Sequence, residues 1–406
     1  MTNVGINYKN TSFLDKINDI LVVSFIISIY IFSTNENLNL YYKMSALIFI
    51  GFTLFKKLIK KEKFIFSLYT FRALVFTIYC SLSLSWAFVP NKDIVIVLFL
   101  VTSVTFTLIN YVNDYKKFEI VLIGLIIAGI LLCAHVFINV GLDTLINSRF
   151  ELKGYNSNDV GIKIAISSLA SIYFITNKKR IKLNYFVLML VIPFVLFSNS
   201  KKAVILLVFG IVLYFVLRAN QMSKKVKYVF FSVLLLLIVC YAMFNIEWLY
   251  SSIGIRFETL LNQVIYGRNG SQSDTLRIDF INYGLHLAKT KPLFGYGIDN
   301  FRYIIGSYLS VNTYAHNNYI ELLVDVGMIG LFLYYINFFY TFKALTKLYN
   351  NNKELIALPL VLIIIMPLMD IALVSFNEVF YNIIVALCYS VTRFISVNNC
   401  DKDKRI

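Results

Sequence analysis

Charge is scarce in this 406-residue chain: 15% of its residues are Asp, Glu, Lys or Arg, while 59% are hydrophobic and 16% aromatic. Soluble domains carry about 25% charged and 45–50% apolar residues, so a water-soluble globule is excluded. Cysteine is scarce too. Cys80, Cys133, Cys240 and Cys388 fall inside apolar stretches and Cys400 in the polar tail, with no zinc or thioredoxin-like spacing, which leaves packing thiols. The sequence has no phosphate-cradling glycine loop, no Ser/His/Asp arrangement and no outer-side metal cluster, and Asp401-Lys402-Asp403 is an Asp-x-Asp only formally. Residues 17–33 form a long apolar run without a small-residue cleavage pattern, which reads as a first membrane helix, not a cleaved signal.

What is present is apolar sequence in runs matched to a hydrocarbon layer of roughly 30 Å. Windows of about 19 residues predict twelve transmembrane helices near 17–34, 40–55, 64–88, 93–110, 118–140, 159–176, 183–199, 203–218, 228–244, 317–341, 355–374 and 380–397. The expected fold is therefore an all-α integral membrane protein. It divides into helices 1–9 (1–244), an extracytoplasmic loop (245–316), and helices 10–12 with a tail (317–406). Orientation follows from the short loops. With the N-terminus cytoplasmic, 23 Lys and Arg lie inside, from Lys9 and Lys16 to the 398–406 tail, against five outside: Lys92, Arg149, Lys153, Lys201 and Lys202. Both termini are then cytoplasmic, and topology accounts for most of the net charge of +16 without nucleic acid.

The long outer loop departs from the short ones. Leu276, Phe280, Tyr283 and Leu287 recur at helical spacing, with Asp274 as a candidate N-cap and Pro292 ending the pattern near Thr290. An amphipathic helix on the outer bilayer surface would fit. The loop also carries Arg256, Arg268, Arg277, Lys289, Lys291 and Arg302. Cations gathered where short loops avoid them suggest an anionic ligand, and arginine's planar fork suits phosphate; a solvated loop face is the plain alternative.

His316 stands where the tenth span begins. A neutral imidazole is suited to accept a proton near pH 7, and a helix N-terminus disfavours its charged form. An isolated histidine there can equally be a structural, interfacial residue. Asn318, Glu321 and Asp325 share one helix face, where acids read as pairing partners for cations such as Arg72 or the loop arginines. Arg72 itself is within snorkelling reach of the interface. His135 and His286 have no acid or nucleophile at recognisable spacing and read as structural.

Three elements occur in order: Arg277, then Lys291-Pro292-Leu293-Phe294-Gly295-Tyr296-Gly297-Ile298-Asp299-Asn300-Phe301, then His316-Asn317-Asn318-Tyr319 with Glu321-Leu322-Leu323 and Gly327-Met328-Ile329-Gly330. Over about residues 256–331 the chain resembles the O-antigen ligase and polymerase superfamily. Asn156-Ser157-Asn158 and Ser200-Lys201-Lys202-Ala203 extend the likeness weakly, and Lys201 stands where the family often has arginine. The resemblance implies a GT-C-like architecture in the cytoplasmic membrane. It also implies metal-free and cofactor-free transfer of glycan from an undecaprenyl-diphosphate carrier to an acceptor hydroxyl on the outer face. His316 would be the general base and Arg277 would offset charge on the departing diphosphate, with Arg256, Lys201, Lys202, Arg302, Asn317 and Glu321 contacting substrate. A repeat-unit polymerase, with lipid-linked donor and acceptor and a chain-length regulator as a possible partner, is the favoured member. A ligase acting on lipid A core or protein is the alternative. A flippase is the competing class, but no internal repeat supports it.

Overall fold

Apolar runs with no water to satisfy their amides must close their hydrogen bonds locally, so such a chain folds as helices. The computed structural model describes residues 12–33, 35, 38–141, 155–247, 250, 254–266, 272–309 and 311–403, and among these it is all-helical. Lys9, Arg149, Lys153 and Arg268 lie outside the described residues, as do the side chains of Arg256 and Cys400.

Sixteen α-helices run through the described residues. They are α1 (Phe13–Phe32), α2 (Asn39–Ile59), α3 (Leu68–Ser83), α4 (Lys92–Tyr111), α5 (Tyr115–Val140), α6 (Ser157–Thr176), α7 (Ile181–Phe197), α8 (Lys201–Arg218) and α9 (Met222–Asn245). After these come α10 (Ile255–Tyr266), α11 (Gln272–Thr290), α12 (Phe301–Leu309), α13 (Asn318–Asp325), α14 (Gly327–Tyr349), α15 (Lys353–Met369) and α16 (Val379–Asp403). Every apolar window falls on helix. Among the described residues, six helices are long and apolar enough to cross a membrane: α3 with its 3-10 extension to Trp86, α4, α5, α6, α14 and the part of α16 up to Val397.

Helix α6 is the hub. Every residue from Val160 to Phe174 is buried, as expected of a helix apolar on all sides, and α5, α7, α8 and α15 pack around it. Within it Lys163 is 1% exposed. Its ammonium lies 2.5 Å from Asp159 one turn earlier, and it donates to the Ile29 carbonyl (3.2 Å) and to Ser33 Oγ (2.8 Å) at the end of α1. A buried charge persists only when paired in this way.

The tenth predicted span is two helices, not one. Helix α13 ends at Asp325, and Gly327, at φ +66°, starts α14. A Cβ on Gly327 would lie 2.2 Å from the Leu293 carbonyl oxygen, so only glycine lets the Pro292–Gly297 turn come this close. The break frees carbonyls that a continuous helix would use internally. The turn takes them, with Tyr296 N–H donating to Val324 O (2.9 Å) and Gly297 N–H to Asp325 O (2.7 Å). In return, Met328 N–H donates to Pro292 O (2.9 Å).

The acids of this segment bind backbone rather than the cations expected from the sequence. The Asp325 carboxylate accepts from the backbone N–H groups of Asp299 (2.8 Å), Asn300 (3.0 Å) and Phe301 (2.7 Å), capping α12. Glu321 accepts from Ala315 N–H. Arg72 instead sits 3.9 Å from the ring centre of Tyr340, a cation–π contact that holds it without an acid. Helix α11 begins two residues before the expected cap Asp274 and ends at Thr290 as expected. Its apolar stripe turns inward, because Phe280 and Leu287 pack with Phe301, Ile304 and Ile320 of α12 and α13, while Tyr283 stays exposed.

A side chain at the break should therefore loosen the site. Gly327→Ala forces a left-handed conformation worth roughly 1–2 kcal/mol in addition to the clash, so thermal unfolding in detergent should start at lower temperature. Gly51→Ala, where nothing lies within 4 Å of the added methyl, should leave the transition in place or raise it.

Candidate functional site

The helix ends at the α13 side of the bundle enclose a cavity of about 440 Å³. Six elements line it: Ser33 after α1, Asn156 to Ile162 at the start of α6, Lys202 on α8, Asp299 and Arg302 at α12, Tyr314 to Glu321 around the α13 start, and the α15–α16 link with Tyr381.

Each residue of the His316-Asn317-Asn318 run has a separate local task. Asn317 caps α13, its Oδ1 accepting from Tyr319 and Ile320 N–H at 3.0 and 3.1 Å, so its side chain serves the helix, not a substrate. Asn318 pins the α15–α16 link, its Oδ1 accepting from Ser375 (3.0 Å) and Phe376 (3.1 Å) N–H while its own N–H donates to Asp370 O (2.8 Å). His316 is left to face the cavity. Its backbone is in the left-handed region at φ +54°, rare for a residue with a side chain and typical of functional sites. The Tyr314 ring lies 4.2 Å and the Phe280 ring 6.4 Å from it, centre to centre.

The electrostatics around the imidazole are one-sided. Burial, then the charges of Arg277 and Lys202, lower its pKa from 6.5 to about 4. The histidine is thus neutral at any physiological pH and keeps a lone pair to accept a proton. Arg277, on α11, does not line the cavity but acts on His316 through its charge. Lys202 lines it and donates to the Ala372 carbonyl. Arg302 pairs with Asp299 at 2.6 Å, and its buried Nε has no hydrogen-bond partner among the described residues. Burial raises the Asp299 carboxyl even though Arg302 and Asn91 pull it down.

Of the residues singled out in the sequence, His316, Lys202, Arg302 and Glu321 line one cavity, with Arg277 beside it. Lys201 stands on the first turn of α8 outside the lining, Asn317 is a cap, and Arg256 lies on α10. His286 lies elsewhere, in a depression of about 280 Å³ with Tyr283 and Tyr308. The pass along the sequence missed Asp159, Tyr314, Glu378 and Tyr381. Asp159 had a signal, an acid four residues before a lysine inside an apolar span. Glu378 had none, since only folding brings the α15–α16 link to α6.

Carbethoxylation of His316, followed by peptide mapping, reads the state of its ring. The rate should stay level from pH 7.5 to 5.5 and fall only as pH approaches 4. In Arg277→Ala the fall should move up toward the ordinary value near 6.5. A midpoint at 6.5 in the unaltered protein would contradict the assigned surroundings.

Comparison with known proteins adds one match. A protein-family model described as O-Antigen ligase matches residues 184–335, from α7 into α14, a span holding Lys202, Arg277, Arg302, His316 and Glu321 but neither Asp159 nor Glu378. No curated protein matches the chain. Through residues 184–335, and through the ordered motifs within them, the chain is similar to the O-antigen ligase family.

Proposed function

We propose that the chain is a repeat-unit polymerase that moves glycan from an undecaprenyl-diphosphate carrier to the hydroxyl of a second lipid-linked unit. The observation that carries this reading is His316, held neutral in a 440 Å³ cavity beside Lys202, Arg302 and the charge of Arg277. A base among cations suits a reaction whose leaving group is an anion. As the acceptor oxygen bonds to the anomeric carbon, its proton passes to His316 and the bond from that carbon to the diphosphate oxygen breaks. The departing undecaprenyl diphosphate takes the electron pair, and Arg277, Lys202 and Arg302 offset its charge.

Topology supports placing the reaction outside the cytoplasmic membrane. With twelve spans and cytoplasmic termini, the elements lining the cavity all fall at ends that the alternation assigns to the outer face: the end of α1, the starts of α6 and α8, the 245–316 segment, and the α15–α16 link.

Loss of the base should slow transfer about 10²–10⁴-fold, and loss of a charge-stabilising donor about 10²–10³-fold. Accordingly, His316→Ala and Arg277→Ala should insert normally yet stop chain growth, read as polymer length on a gel of cell-surface glycan. Normal polymer in both would refute the roles given to them. A deletion strain separates the two family reactions: lipid carrying a single repeat unit indicates a polymerase, whereas full polymer stranded on undecaprenyl diphosphate indicates a ligase.

A further inference from the structure

A reaction that joins two glycans needs a place for the acceptor, and cations suit only the diphosphate end of the donor. The same cavity also holds groups of the other sign. Asp159 and Glu378 face it, with Asn158 and Tyr381 alongside. Asp159 is fixed: Lys163 lies 2.5 Å away, and Tyr381 donates its hydroxyl to Oδ1 at 3.1 Å. Lys163 is itself tied to the end of α1, so this part of the lining is rigid. Glu378 is different. Among the described residues no hydrogen bond or ion pair reaches its carboxyl group, and its surface is exposed at the cavity. Burial, reinforced by Asp159 and opposed by Lys163, pushes its pKa up to about 7.

A carboxyl group that opens to the cavity and has no protein partner is available to a ligand that donates hydrogen bonds. Phosphate cannot do so, because it meets a carboxylate with like charge. Sugar hydroxyls can, since each is a donor and two carboxylates provide several acceptor sites. We propose that Asp159 and Glu378 bind the acceptor sugar through its hydroxyls, in the cavity whose cations hold the donor diphosphate. This assignment rests on the transfer reading above. It also defines a class of acceptor: a neutral or amino sugar fits between these acids, while a uronic acid is repelled.

Two probes separate the acids from the cations, titrated into the purified full-length protein in nanodiscs. One is undecaprenyl diphosphate without sugar; the other is the repeat-unit oligosaccharide released from its lipid. Glu378→Ala should weaken oligosaccharide binding roughly tenfold or more, the usual effect of losing charge-assisted hydrogen bonds, and leave undecaprenyl diphosphate within about twofold. Arg302→Ala should show the reverse. Asn158→Ala should weaken the oligosaccharide in the same direction as Glu378→Ala, by a smaller factor. If Glu378→Ala loses both ligands, Glu378→Gln decides: it should hold the lipid diphosphate and still bind the oligosaccharide more weakly, and any other pattern overturns the assignment. Unchanged oligosaccharide affinity in the Glu378 and Asn158 variants overturns it as well. Wild-type protein that binds the lipid diphosphate but not the oligosaccharide sinks the acceptor site alone, and protein that binds neither sinks the transfer reading with it.

Discussion

Three backbone N–H groups converge on the Asp325 carboxylate, and the rest of the site depends on that convergence. The acid sits at a helix break that Gly327 permits, and it holds the Pro292–Phe301 turn against the bundle. The hold positions α12, hence Asp299 and Arg302. One turn earlier on the same short helix, Glu321 takes the Ala315 N–H and fixes the residue before His316. The α3–α4 connection grips the turn from the other side, with Asn300 Oδ1 accepting from Val89 N–H (2.6 Å) and Ser83 Oγ from Ile298 N–H (3.0 Å). Intramembrane acids are costly unless satisfied, and here backbone amides satisfy them.

The cavity built on this frame is lined by ionisable groups of both signs. Burial first, then the cations on α11 and α8, lower the affinity of the imidazole for a proton. Alone, that arrangement makes a weak base. A bound diphosphate would neutralise the same cations and restore basicity at the moment a proton must be taken, so the chemistry of the donor and the strength of the base are linked through Coulomb interactions in a partly desolvated site. Four carboxyl groups, those of Asp159, Asp299, Glu321 and Glu378, line the same cavity as Lys202 and Arg302.

Much of this was legible in the sequence. Apolar windows located the helices because a membrane leaves few other ways to satisfy a backbone, and of the ordered Arg277, Pro292–Phe301 and His316 motifs the last lines the candidate cavity. The break at Gly327 was not legible, since Val326 to Leu333 is apolar throughout and hydropathy does not register a left-handed glycine. The targets of Glu321 and Asp325 were misread for a related reason: charge pairing is visible in sequence, but backbone amides are everywhere and become partners only when a turn aims them. Glu378 needed the whole fold, because the link that carries it joins Asp159 at the cavity from more than two hundred residues away.

The most direct test is reconstitution. Purified protein in liposomes, supplied only with the undecaprenyl-diphosphate-linked repeat unit of its host, should produce a ladder of longer lipid-linked glycans, with undecaprenyl diphosphate released at each step. The account is contradicted if the repeat unit remains single in the presence of folded protein, or if elongation proceeds equally well without the imidazole of His316.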